Sequence, residues 1–133
     1  MSALRVHDLM TKEPVTVDAD EEIDLADQLM QLGRFRHVPV LDEGRLVGLI
    51  TQRDLLRARA ADAVTPPRYV KARELMTREV HAVAPDVLLL EAAQLLLERK
   101  YGCLPVVDDG ELVGILTEAD FVRLAIRQLS APQ

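Results

Sequence analysis

Apolar and polar positions follow two rhythms along the chain. Val15-Thr16-Val17 is a short β-branched run, and beyond Asp20 the positions Ile23, Ala26, Met30 and Gly33 recur at three- and four-residue intervals, which places them on one face of a helix. Asp20 is the expected N-cap of that helix. His37 to Leu41 and Arg45 to Ile50 are apolar runs of strand length. Asp42-Glu43-Gly44 separates them as a hairpin turn in which Gly44 can supply a positive φ. Thr51 then opens a second helix, so the order is β-α-β-β-α.

The same pattern occurs twice. Leu9-Met10-Thr11 returns as Leu75-Met76-Thr77, His37-Val38-Pro39-Val40 is answered by Cys103-Leu104-Pro105-Val106, and Gly44 through Asp54 by Gly110 through Asp120, all at one offset of 66 positions. No gap is needed between Leu9 to Arg57 and Leu75 to Arg123, so the chain reads as a duplicated supersecondary unit. The second copy runs through Ala82-Val83, a helix from Leu88 to Glu98, two strands around Asp108-Asp109-Gly110, and a helix after Thr117. The expected fold class is α+β, with two pseudo-symmetric β-α-β-β-α repeats packed through their sheets, because a three-stranded sheet with helices on one face is marginal alone. Residues 1–60 form repeat 1, 61–74 a linker containing Thr65-Pro66-Pro67, and 75–133 repeat 2.

Composition narrows the function classes. Of 133 residues, 49% are hydrophobic and 29% charged, the balance of a globular chain that is neither disordered nor membrane-spanning. Aromatics make up only 3%, which argues against stacking platforms for single-stranded nucleic acid, and the formal net charge of -6 opposes general attraction to phosphate backbones. No apolar run approaches a membrane span and the first ten residues lack a leader-like apolar stretch, so neither membrane insertion nor export is expected. With Cys103 as the lone cysteine, no intrachain disulfide is possible and a reducing, cytoplasmic location is expected. His7, His37 and His81 have no metal-ligand spacing, and no Ser-His-Asp, Cys-His or paired-carboxylate arrangement stands out, so neither a metal site nor an enzyme is expected.

Three motifs recur in order and in register: Leu-Met-Thr at 9–11 and 75–77, apolar-Pro-Val at 38–40 and 104–106, and Gly-x-x-Thr-x-x-Asp at Gly48, Thr51, Asp54 and Gly114, Thr117, Asp120. In this the chain resembles a tandem pair of cystathionine-beta-synthase (CBS) domains, a Bateman module, over nearly its whole length. The resemblance implies a non-enzymatic regulatory module. It would bind an adenosine-containing ligand such as AMP, ADP, ATP or S-adenosylmethionine in clefts between the two repeats, with no cofactor, and pass occupancy to a separate enzyme or transporter. The alternative is a constitutive dimerisation or interaction module without a nucleotide.

By spacing alone, Thr51 with Asp54 and Thr117 with Asp120 are near capping boxes that satisfy helix N-terminal donors. The resemblance implies that the aspartates accept ribose hydroxyls while the threonines and helix N–H groups face phosphate. Arg53 opposes the positive end of its helix dipole, a conflict that a nearby anion removes. Arg36 and His37 could converge on the same place, whereas Arg34 and Lys12 read better as solvated surface cations. The resemblance adds Val17, Val38 and Pro39 to the lining in the first copy and Val83, Cys103, Leu104 and Pro105 in the second. There Arg36, His37 and Arg53 give way to Gly102, Cys103 and Ala119, so ribose chemistry persists while phosphate chemistry thins.

The first helices of the copies also differ. Asp24, Asp27 and Gln31 become Leu90, Ala93 and Leu97, spaced i, i+3, i+7 along one stripe. Since the first copy manages with polar residues there, the stripe is expected to pack against a second copy of the chain, in line with the helix-mediated homodimers that the resemblance implies.

Overall fold

The computed structural model describes residues 3–33, 36–62 and 70–130. In chain order the elements are α1 (Val6–Leu9), β1 (Thr11–Lys12), β2 (Val17–Asp18), α2 (Ile23–Gly33), β3 (His37–Asp42), β4 (Arg45–Thr51), α3 (Gln52–Asp62), α4 (Ala72–Leu75), α5 (Leu89–Arg99), β5 (Cys103–Asp108), β6 (Glu111–Thr117) and α6 (Glu118–Leu129). The fold is mixed α+β, each repeat contributing strands and helices. The Thr65-Pro66-Pro67 connector and Arg34 lie outside the described residues.

Two compact units are present, and they cut across the repeats. One is contiguous, Val15–Val80; the other joins Met1–Pro14 to His81–Gln133. In the contiguous unit the sheet order is β2-β3-β4, with β2 parallel to β3 and β3 antiparallel to β4. The outer side of β4 pairs Leu49 with Thr77, whose N–H donates to the Leu49 carbonyl at 2.8 Å and whose carbonyl accepts from the Leu49 N–H at 2.9 Å. In the interrupted unit the order is β1-β6-β5, with Thr11 opposite Ile115, and Val83 bridges Val106 in parallel. Leu-Met-Thr in each copy therefore completes a sheet built on the other copy's hairpin.

Each unit has its own core. Ala26 and Met30 of α2 pack with Val38, Val40 and Ile50, while Leu89, Ala92 and Leu96 of α5 pack with Leu104, Val106 and Leu116. Both hairpins turn on paired positive φ values, 51° and 80° at Glu43 and Gly44 and 51° and 82° at Asp109 and Gly110. That is the type I′ geometry matching the twist of the flanking strands, and it extends the left-handed requirement to the residue before each glycine.

Local expectations shift in places. Strand character covers Val17–Asp18 and not the full Val15-Thr16-Val17 run, and the Ala82-Val83 strand reduces to the single Val83 bridge. The helix expected from Leu88 spans Leu89–Arg99, with Leu88 as its N-cap. Asp20 does not cap α2, which starts at Ile23, too far along the chain for that carboxylate, and whose first N–H donates to the Val70 carbonyl at 2.9 Å; Asp20 Oδ1 accepts Arg73 Nε at 3.0 Å instead. Gly33, placed on the buried face by spacing, is exposed at the last turn. No helix among the described residues is long and apolar enough to cross a membrane.

Candidate functional site

In the contiguous unit, β4 ends at Thr51 and α3 begins at Gln52, so the Gly-x-x-Thr-x-x-Asp segment straddles a strand-to-helix junction. Register places His37 opposite Thr51, and the Gln52 N–H donates to the Arg36 carbonyl at 3.0 Å, tying the start of β3 to the first turn of α3. Arg36, His37, Thr51, Arg53 and Asp54 are thereby gathered at one helix N-terminus. Arg36 and Arg53 are exposed, His37 and Thr51 half-buried, and Asp54 is only 6% exposed.

Asp54 is held by its neighbours on one oxygen. Its Oδ2 accepts the Thr51 N–H at 2.9 Å, the Thr51 hydroxyl at 3.0 Å and the Thr77 hydroxyl at 3.3 Å. The Asp54 N–H in turn donates to Thr51 Oγ1 at 3.2 Å, which closes a reciprocal capping box. Among the described residues nothing donates to Asp54 Oδ1. A carboxyl group nearly removed from water, with one oxygen that no described residue engages, is an acceptor ready for hydroxyl donors.

The interrupted unit builds the corresponding place differently. Cys103 stands opposite Thr117, and Asp120, 3% exposed, accepts the Thr117 N–H at 2.8 Å and the Thr117 hydroxyl at 3.4 Å on Oδ2. Its Oδ1 accepts the Thr11 hydroxyl at 3.0 Å and Arg123 Nη2 at 2.7 Å. Burial pushes the Cys103 thiol up to about 12, so at neutral pH it is a small protonated hydrophobe. The side chains of Val17, Val38, Pro39, Val83, Leu104 and Pro105 are buried as well, which leaves Arg36, His37, Thr51, Arg53, Asp54, Thr117 and Asp120 as the polar part of the expected set.

Sequence reasoning missed Thr11, Thr77 and Arg123. The two threonines carried a signal, because Leu-Met-Thr keeps the same offset as the aspartates, but that offset does not tell which copy's carboxylate each hydroxyl reaches. Arg123 and Arg57 are equivalent in sequence, yet Arg57 forms no hydrogen bond or ion pair among the described residues.

A family model described as the CBS domain matches twice, over residues 6–61 and 72–127. The CBS domain-containing protein YhcV of Bacillus subtilis is 35% identical over 94% of this chain and 86% of its own length. The crystal structure of CBSX2 in complex with AMP superposes with a TM-score of 0.82 at 34% identity, covering 94% of this chain and 98% of that one. The CBS domain pair of MJ0100 in complex with 5-methylthioadenosine and S-adenosyl-L-methionine superposes at 0.83 and 30% identity, covering 96% and 99%. With two matched copies filling most of its length, the chain belongs to the CBS domain family as a tandem pair.

Proposed function

We propose that the protein is a ligand-sensing regulatory module that binds an adenosine-containing molecule, with AMP, ADP, ATP and S-adenosylmethionine as the candidates, and transmits occupancy to a separate enzyme or transporter. The observation that carries this reading is the Asp54 carboxylate, buried, anchored through Oδ2 and without a donor on Oδ1 among the described residues, at the helix N-terminus where the exposed cations Arg36 and Arg53 also stand. A ribose offers hydroxyl donors to such an oxygen, and a phosphate is matched by the guanidinium groups and the positive N-terminal end of α3. Relatives at 30% and 34% identity that hold 5-methylthioadenosine, S-adenosyl-L-methionine and AMP support the ligand class. The protein works as a homodimer in the cytoplasm, consistent with the stripe of Leu90, Ala93 and Leu97 and with its single buried cysteine.

A second reading, a constitutive dimerisation or interaction module without a nucleotide, is favoured by the reciprocal cap between Thr51 and Asp54, which already gives both residues a structural use. Thermal shift with AMP, ADP, ATP, NADH and S-adenosylmethionine separates the two. A ligand at one hundred times its Kd stabilises the native state by about 2.7 kcal/mol. A shift with an adenosine compound is expected, and no shift with any of the five leaves the second reading standing.

A further inference from the structure

The two buried aspartates have the same local sequence: a threonine three residues before, an arginine three residues after, and the Leu-Met-Thr threonine of the other copy within reach. Their hydrogen bonding nevertheless differs. An ionised carboxylate has about four lone-pair sites. Asp120 fills them with four donors, two on each oxygen, one being the charge-assisted bond from Arg123 Nη2 at 2.7 Å. Among the described residues Asp54 takes three donors on Oδ2 and none on Oδ1, while Arg57 is exposed and unbonded.

We infer that Arg123 acts as an internal plug on the second carboxylate, so that the chain takes one adenosine-type ligand per protomer, in the Val15–Val80 unit. The inference rests on the nucleotide reading above and adds which site is used and what closes the other. A sugar hydroxyl arriving at Asp120 finds no open lone pair and must displace a guanidinium from a carboxylate that is 4% exposed. Substitutions point the same way independently, since the plugged site has Gly102 and Ala119 where the open one has Arg36 and Arg53. It therefore also lacks the cations that would offset the displacement by holding a phosphate.

The test is the stoichiometry of AMP and of adenosine, read by native mass spectrometry and titration calorimetry on the full chain. Wild type binds one AMP, Arg123→Ala binds two with the added site indifferent to the phosphate, and Arg57→Ala binds one. Asp54→Ala binds none, whereas Asp54→Ala with Arg123→Ala binds one. Arg123→Ala should fold, because Asp54 is held by the equivalent three donors with no bonded arginine among the described residues. Arg123→Gln, which removes the charge and keeps a longer side chain, gives the same reading should the alanine variant unfold. Two equivalent sites in wild type, or a single site in a folded Arg123 variant, overturns the plug. Absence of AMP and adenosine binding from every variant and from wild type overturns the nucleotide reading itself and is distinguishable from both.

Discussion

The sulfur of Met76 stands where a side chain on residue 48 would begin: a Cβ built on Gly48 would lie 2.6 Å from Sδ and 2.8 Å from the Thr77 carbonyl oxygen. The second copy repeats the relationship: a Cβ built on Gly114 would lie 2.6 Å from Met10 Sδ and 3.0 Å from the Thr11 carbonyl oxygen. The thioether can move, but the carbonyl is fixed by the Leu49 to Thr77 pairing. Gly48→Ala is therefore expected to lose about 1 to 3 kcal/mol, the usual cost of overpacking, measured by urea denaturation. Combined with Met76→Ala the loss should fall short of the sum of the single variants, because the two changes share one contact.

Asp54→Ala should weaken AMP binding far more than it weakens the fold. Loss of a helix cap costs about 1 kcal/mol, whereas hydrogen bonds to a charged group contribute about 1.5 to 3 kcal/mol each, or on the order of 10- to 100-fold in affinity. Calorimetry and a melting curve on the same variant decide it. An unchanged affinity with a lowered melting temperature would make the carboxylate a cap and nothing more.

Arg53 is exposed in the first turn of α3 and repels the helix dipole there. Arg53→Ala should lower affinity for AMP more than for adenosine, and the gap should narrow at high salt as screening shortens the reach of the charge. Equal losses for the two ligands would remove this arginine from phosphate recognition.

Leu90 and Leu97 are 68% and 81% exposed on α5, so they do not serve the core of their own unit. Replacing them as Leu90→Asp and Leu97→Gln restores the polarity of the first copy and should leave the chain folded while light scattering falls from dimer to monomer mass. A dimer that persists would assign the contact to another surface. Val122, Ile126 and Leu129 of α6 are also exposed.

Cys103 binds its proton more tightly folded, where its pKa is about 12, than at the ordinary value of 9.0 expected of the unfolded thiol. Its contribution to stability is complete below pH 9 and declines by about 1.4 kcal/mol per pH unit between 9 and 12. A thiol reagent at pH 8 should leave the native protein unmodified and react on unfolding. A Cys103→Ser variant should flatten the alkaline loss.

The duplication, the hairpins and the helices were legible because each rests on local pattern: Gly44 and Gly110 mark their turns, and the α2 and α5 spacings mark their buried faces. The assignment of Leu-Met-Thr to a sheet edge was not, since pairing Thr77 with Leu49, or Thr11 with Ile115, depends on which hairpin the segment meets. At the site, the Thr51 and Asp54 spacing announced the cap. Whether Arg57 and Arg123 would behave alike was beyond any local pattern, because both stand three residues after their aspartate and the difference lies in which oxygen Thr77 and Thr11 engage.

The exchange of opening segments sets an order of events during synthesis. Thr77 closes on Asp54 across 23 positions, whereas Thr11 must find Asp120 across 109. Loop closure over the longer span costs about 1.4 kcal/mol more on the logarithmic scaling of chain entropy. The contiguous unit has all its segments once residue 80 has left the ribosome, while β1, made before it, waits until β6 has emerged before it acquires its neighbour. Until then a nascent chain carries an unpaired strand matched to every finished copy of β6 it encounters.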